Sequence, residues 1–138
     1  MSERVLIDTN VLLYADDLDA GEKRLIAQEV LRELITESRA VFSTQVLQEF
    51  FVNATRKLGV PAEIASKKVE LLMRLEVVIV RSELILSAID LHRLHGLSFW
   101  DALVVRSAAA AGCARILSED LQHGQVIDGV RIENPFRR

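Results

Sequence analysis

Short runs of apolar and β-branched residues alternate along the chain with longer segments in which apolar residues recur every three or four positions. The first kind of run fits a strand, and the second fits a helix that buries one face. Strands are predicted at Arg4 to Ile7, Ala40 to Phe42, Val77 to Val80 and Arg115 to Leu117, with a weaker fifth near Val130 to Ile132. Between the first two, Leu25, Ile26, Val30, Leu31, Leu34 and Ile35 form one helical stripe. Ser43 is placed to cap a second helix carrying Val46, Leu47, Phe50, Phe51, Ala54 and Leu58, which Gly59 stops. Pro61 suits the first turn of a third helix reaching about Arg74, and Glu83 to His95 reads as a fourth that Gly96 ends. Ser98 opens a fifth, running to Gly112. This order predicts an α/β fold of parallel strands joined by crossover helices.

The 138 residues argue for one domain over 1–138, and 50% hydrophobic content is enough to give it a core, which excludes disorder as the main state. With 17 Lys plus Arg against 20 Asp plus Glu the net charge is -3, so any contact with nucleic acid must be a local patch. The lone cysteine, Cys113, lies in an apolar run and reads as a packing residue in a reducing compartment. Val5 to Ile7 is too short for a signal-peptide core, and no uncharged apolar stretch approaches membrane-spanning length. A cytoplasmic protein with no membrane association is expected.

In open parallel sheets ligands gather at the carboxyl ends of strands, so acids just after strand-like runs carry extra weight. Asp8 follows Val5, Leu6 and Ile7 and opens the polar triplet Asp8, Thr9, Asn10. Asp120 follows Arg115 to Leu117 in the same way, within Ser118, Glu119, Asp120. Either acid equally suits a turn or a helix cap. Asp101 sits three residues after Ser98, where a capping box would place it, yet a first-turn carboxylate at a sheet edge can cap and also face outward. Glu49 falls about 140° from the centre of its helix's apolar stripe, sharing its side with Gln45, Val52 and Arg56, which suits a cleft wall or plain solvent.

If such acids converge they cannot all stay charged unaided. Two carboxylates about 4 Å apart repel by about 4 kcal/mol at an effective dielectric of 20, and protons or cations must answer. Oxygen-only ligands without Cys or His point to Mg²⁺ or Mn²⁺ over zinc. His92 and His95, three apart on a helix, read as a solvated face, and His123 reads as a loop residue near Asp120.

The segments Leu6-Ile7-Asp8-Thr9-Asn10-Val11-Leu12, Gln48-Glu49-Phe50, Ser98-Phe99-Trp100-Asp101-Ala102-Leu103 and Leu117-Ser118-Glu119-Asp120-Leu121, taken in order, resemble the PIN-domain family. More narrowly they are similar to the VapC-type toxin ribonucleases of bacterial toxin-antitoxin pairs, and the likeness extends to the ending Asn134-Pro135-Phe136. The resemblance implies a three-layer α/β/α fold around a central, mostly parallel sheet of four or five strands. It implies that Asp8, Glu49, Asp101 and Asp120 meet in one cleft and hold Mg²⁺ or Mn²⁺ for phosphodiester hydrolysis. Asn10 and Ser118 match the polar residues that support those acids. The family commonly carries a further acid two places after the fourth, where this chain has Gln122, so Glu119 stays an alternative to Asp120.

The function expected is a metal-dependent endoribonuclease acting on single-stranded or loop RNA, with water as nucleophile. Asp8 and Asp101 are the first-choice ligands, while Glu49 and Asp120 complete the site or orient water. Arg56, Lys57, Lys67 and Lys68 are candidates to hold phosphates, and Trp100 or Phe99 to stack a base, although each fits a surface or packing role as well. A homodimer and a small antitoxin partner are implied by the resemblance. Two rivals stand beside this reading. An aspartyl-phosphate phosphatase with Asp8 as nucleophile would want an acid where Asn10 stands. A non-catalytic, receiver-like module holding a regulatory cation would want a late lysine, and none follows Lys68.

Overall fold

The computed structural model describes residues 3–137. The chain forms β1 (Val5–Ile7), α1 (Thr9–Asp16), α2 (Glu22–Thr36), β2 (Ala40–Ser43), α3 (Thr44–Arg56), α4 (Ala62–Leu72), β3 (Glu76–Val78), α5 (Ser82–His95), α6 (Phe99–Ala110), β4 (Arg115–Leu117), β5 (Val126–Ile127) and β6 (Val130–Glu133). One sheet contains all six strands in the order β3-β2-β1-β4-β6-β5. Neighbouring strands are parallel except β5 and β6, which are antiparallel.

Successive side chains on a strand point to opposite faces, and this alternation builds three layers. Val5 and Ile7 of β1 and Phe42 of β2 join a core with Val11, Leu31, Val46, Phe50 and Ala65 from α1 to α4. Leu6, Val41 and Ile116 join a second core, with Ala88 and Leu91 of α5 and Leu103 to Val105 of α6. Parallel crossovers keep one hand, which accounts for the partition. The chain walks from β1 out to β3 with α1 to α4 on one face, then returns to β4 with α5 and α6 on the other. The return lands on the far side of β1, so the strand order reverses between β1 and β4. Such a reversal opens a crevice at the carboxyl ends of the two strands.

All five anticipated strands are present, β4 with the expected bounds and the others with ends shifted by at most two residues, and the sheet is mostly parallel as expected. The sixth strand, β5, was not anticipated. It pairs with β6 through a hairpin in which Asp128 and Gly129 both have positive φ, at 53° and 78°. Asp-Gly between apolar residues suits that two-residue turn, because glycine meets no Cβ penalty there. The short helix α1 was also absent from the expected set; it follows β1 without a loop, Asp8 serving as its N-cap. Gly96 ends α5 as expected, in left-handed conformation at φ 68°, its N–H bonded to the carbonyl of His92. Among the described residues no helix is long and apolar enough to cross a membrane.

Candidate active site

The crevice between β1 and β4 is a cleft of about 390 Å³, lined among others by Asp8, Glu49, Asp101 and Asp120. Four separated stretches of chain therefore deliver the four anticipated acids to one place. Asp8 comes first, at the end of β1, whose ladder continues through its N–H to the carbonyl of Leu117 at 3.0 Å. It is only 6% exposed. Its Oδ1 accepts from the Thr9 N–H at 2.8 Å and its Oδ2 from the Ser118 hydroxyl at 2.7 Å. Burial pushes its pKa up to about 6, against those two hydrogen bonds, and the negative charges of Asp120 and Glu49 add to the rise. A cap carboxylate ordinarily sits in water; this one sits under the sheet edge.

Glu49 occupies the middle of α3 and is half-buried; its Oε1 accepts from the Thr9 hydroxyl at 3.0 Å. Gln45 and Asn53 precede and follow it by one helical turn and line the same cleft, as does Lys57. Those positions form an i, i+4 stripe, so one wall of the cleft is a polar helix face. Asp101 stands in the first turn of α6, where the hydroxyl of the N-cap Ser98 accepts from its N–H at 3.1 Å. Capping and cleft lining are thus compatible at this residue. Asp120 is exposed, and its N–H donates to the Ser118 hydroxyl at 3.2 Å. Among the described residues the side chains of Asp101 and Asp120 have no hydrogen-bond or salt-bridge partner.

Glu119 also borders the cleft but is engaged elsewhere. Its carboxylate accepts from the Tyr14 hydroxyl and from the Lys23 ammonium, each at 2.5 Å. Burial works to raise its pKa, and these two bonds together outweigh burial and hold it below the ordinary range. Its N–H donates to Oδ1 of Asn10 at 3.3 Å, so Asn10 braces the loop after β4, while the Asn10 Nδ2 is buried without a partner among the described residues.

The PIN domain family model matches residues 5–127. The chain belongs to the PIN domain family. Solved structures share its fold at low identity. Mycobacterium tuberculosis VapC20, described as a sarcin-ricin loop cleaving toxin, aligns with a TM-score of 0.67 at 19% identity, over 84% of this chain and 89% of that one. DNA-bound VapBC from Salmonella typhimurium aligns with a TM-score of 0.69 at 21% identity, over 97% and 99%. A toxin-antitoxin complex from Klebsiella pneumoniae aligns with a TM-score of 0.68 at 18% identity, over 97% and 99%. Among curated protein sequences nothing matches the chain.

PIN domains generally use divalent metal ions. In this PIN domain no three Asp, Glu, His or Cys side chains among the described residues already form a set that could hold one. The donors nonetheless fit a hard cation. They are oxygens only, and Mg²⁺ keeps several waters and is commonly held by one or two carboxylates. Asp8, buried among like charges, gains most from a cation nearby.

Of the anticipated cations, only Lys57 lines the cleft. Lys68 is taken up by Asp16 at 2.7 Å, and Arg56 and Lys67 are exposed outside the lining. His92 and His95 lie exposed at the end of α5, and His123 accepts from the Asn134 N–H in a loop. Cys113 is buried, which pushes its thiol up to about 11 and leaves it inert as a nucleophile. Thr9, Gln45, Asn53 and Tyr14 went unmarked as site residues in the sequence. The step of four that joins Gln45, Glu49, Asn53 and Lys57 carried the signal for two of them, Gln45 and Asn53.

Proposed function

We propose that this PIN domain is a divalent-metal-dependent endoribonuclease acting on single-stranded or loop RNA, and the toxin of a toxin-antitoxin pair. One observation carries the reading: four carboxylates from four stretches of chain share a cleft at the sheet's reversal point, one of them buried and raised to a pKa of about 6. The description of VapC20 as a sarcin-ricin loop cleaving toxin supports RNA as the substrate class.

Asp8 and Asp101 are assigned to hold Mg²⁺ or Mn²⁺, and Glu49 and Asp120 to complete its surroundings or orient water. Asp120 is preferred to Glu119 because the Glu119 carboxylate is occupied by Lys23 and Tyr14. When bound, the ion supplies Lewis acidity toward the phosphate and lowers the pKa of water. Ser118 and Asn10 fix the acids, and Lys57 meets a backbone phosphate at the edge of the cleft. The toxin-antitoxin assemblies among the structural neighbours support an antitoxin partner, and a homodimer belongs to the same reading. Ile64, Leu71 and Met73, each more than half exposed on or beside α4, supply apolar surface for such partners. The phosphatase rival loses ground because the acid it would want two residues after Asp8 is replaced by Asn10, whose Oδ1 accepts from the Glu119 N–H.

The test is incubation with a mixed RNA pool, with Mg²⁺, with Mn²⁺ and with chelator, followed by mapping of cut ends. Discrete cuts that vanish on chelation are expected. Cuts that persist in chelator, or an intact pool in every arm, would overturn the proposal and favour a cation-holding binding module.

A further inference from the structure

Trp100 precedes Asp101 on α6 and leaves 61% of its surface exposed at the edge of the carboxylate cleft. An indole is costly to leave in water, and this one is held in place. Phe99 meets it edge-on, with ring centres 5.1 Å apart and planes at 76°, and the backbone carbonyl of Trp100 accepts from Gln45 Nε2 at 3.4 Å. Beside it lies a depression of about 320 Å³ lined by Gln45, Gln48, Glu49, Val52, Asn53 and Trp100. Four of these six, Gln45, Glu49, Asn53 and Trp100, also line the carboxylate cleft, so the two spaces adjoin across a shared wall.

The walls combine the Trp100 ring and Val52 with three side-chain amides, Gln45, Gln48 and Asn53, which donate and accept without adding charge, and with the Glu49 carboxylate, whose Oε1 accepts from the Thr9 hydroxyl at 3.0 Å. Gln45 is 5% exposed and its Oε1 has no partner among the described residues. An aromatic ring beside amides and a single carboxylate suits a nucleobase, which offers a π face for stacking, acceptors for the amide N–H groups and N–H donors for the carboxylate. We propose that this depression takes one unpaired nucleobase, stacked on Trp100, from the RNA strand whose phosphate enters the carboxylate cleft. The site rests on the nuclease reading for its substrate class, and it makes Trp100 a binding residue for single-stranded RNA.

Trp100 is the only tryptophan of the chain, so its fluorescence reports the site directly. The full chain is titrated in Ca²⁺, an oxygen-seeking cation of looser geometry than Mg²⁺, with a short single-stranded oligoribonucleotide and with an abasic ribose-phosphate chain of equal length. The base-bearing strand is expected to quench the indole and to bind roughly five- to a hundredfold tighter than the abasic one. Trp100→Ala should erase that preference and raise KM for RNA cleavage in Mn²⁺ by a similar factor with kcat little changed; Trp100→Phe should keep most of both. Equal binding of the two strands overturns the proposal, as does a wild-type indole that RNA leaves unquenched. Quenching that depends on protein concentration alone would place a second copy over Trp100 and also overturn it. Quenching without cleavage in Mn²⁺ would defeat the nuclease reading yet retain the base site. Cleavage with KM unmoved by Trp100→Ala would do the reverse.

Discussion

The hydroxyl of Ser118 donates to Oδ2 of Asp8 at 2.7 Å, joining two residues 110 positions apart in the sequence. The Ser118 hydroxyl oxygen in turn accepts from the Asp120 N–H at 3.2 Å. One small side chain after β4 thereby fixes the acid after β1 and the turn that carries Asp120. It also works against burial in setting the acidity of Asp8.

Ser118→Ala removes this brace while filling nearly the same space. Loss of a hydrogen bond to a buried charged group costs about 1.5 to 3 kcal/mol, small enough for the fold to survive. Metal affinity or cleavage should fall by about 10- to 100-fold, the usual effect of losing a group that orients a metal-binding carboxylate. Mn²⁺ titration with circular dichroism on the same samples checks both parts. An unchanged titration would take Ser118 out of the site.

Asp8 should make the metal-free protein less stable as pH rises. Its folded-state pKa of about 6 lies above the 3.8 of an ordinary aspartate, so the folded chain binds the proton more tightly. The stability linked to that proton is fully present below about pH 4 and is lost as pH climbs through 6. At ~1.4 kcal/mol per unit the difference is roughly 3 kcal/mol. Asp8→Asn keeps a competent helix cap without the charge. In chelator, its melting temperature should exceed the wild type's by a few degrees at pH 8 and converge with it near pH 4. A variant no more stable than wild type at pH 8 contradicts the assigned cost of burying this carboxylate.

Glu119 and Asp120 are adjacent but should behave differently. Asp120→Asn is expected to weaken Mn²⁺ binding at least tenfold, in line with loss of a charged group beside the cation. Glu119→Gln should leave it within about twofold, because that carboxylate is spent on Tyr14 and Lys23. Calorimetric titration of both variants decides. The opposite ranking would transfer the role to Glu119.

Much of this was legible in the sequence because it rests on local order. Apolar runs after which a polar triplet follows at once, as at Ile7 and Asp8, mark a strand ending at the mouth of a parallel sheet. Asp101 was legible for another reason, since Ser98 fixes the helix start and hence the turn on which the acid falls. The remainder depends on distant pairings that no local pattern carries. The Tyr14–Glu119 and Lys23–Glu119 contacts join segments 105 and 96 residues apart, and only the packing of α1 and α2 against the loop after β4 brings them together. Strand β5 was missed differently: two residues are too few for a periodic signal, and the Asp128-Gly129 turn was the clue available.

The measurement that bears most directly on the whole account is cleavage of an RNA pool in Mn²⁺ by wild type and by Asp8→Asn, with folding of both followed by circular dichroism. Discrete cuts are expected from wild type and none from an equally folded Asp8→Asn protein. Cuts of equal yield at the same positions from both would contradict it.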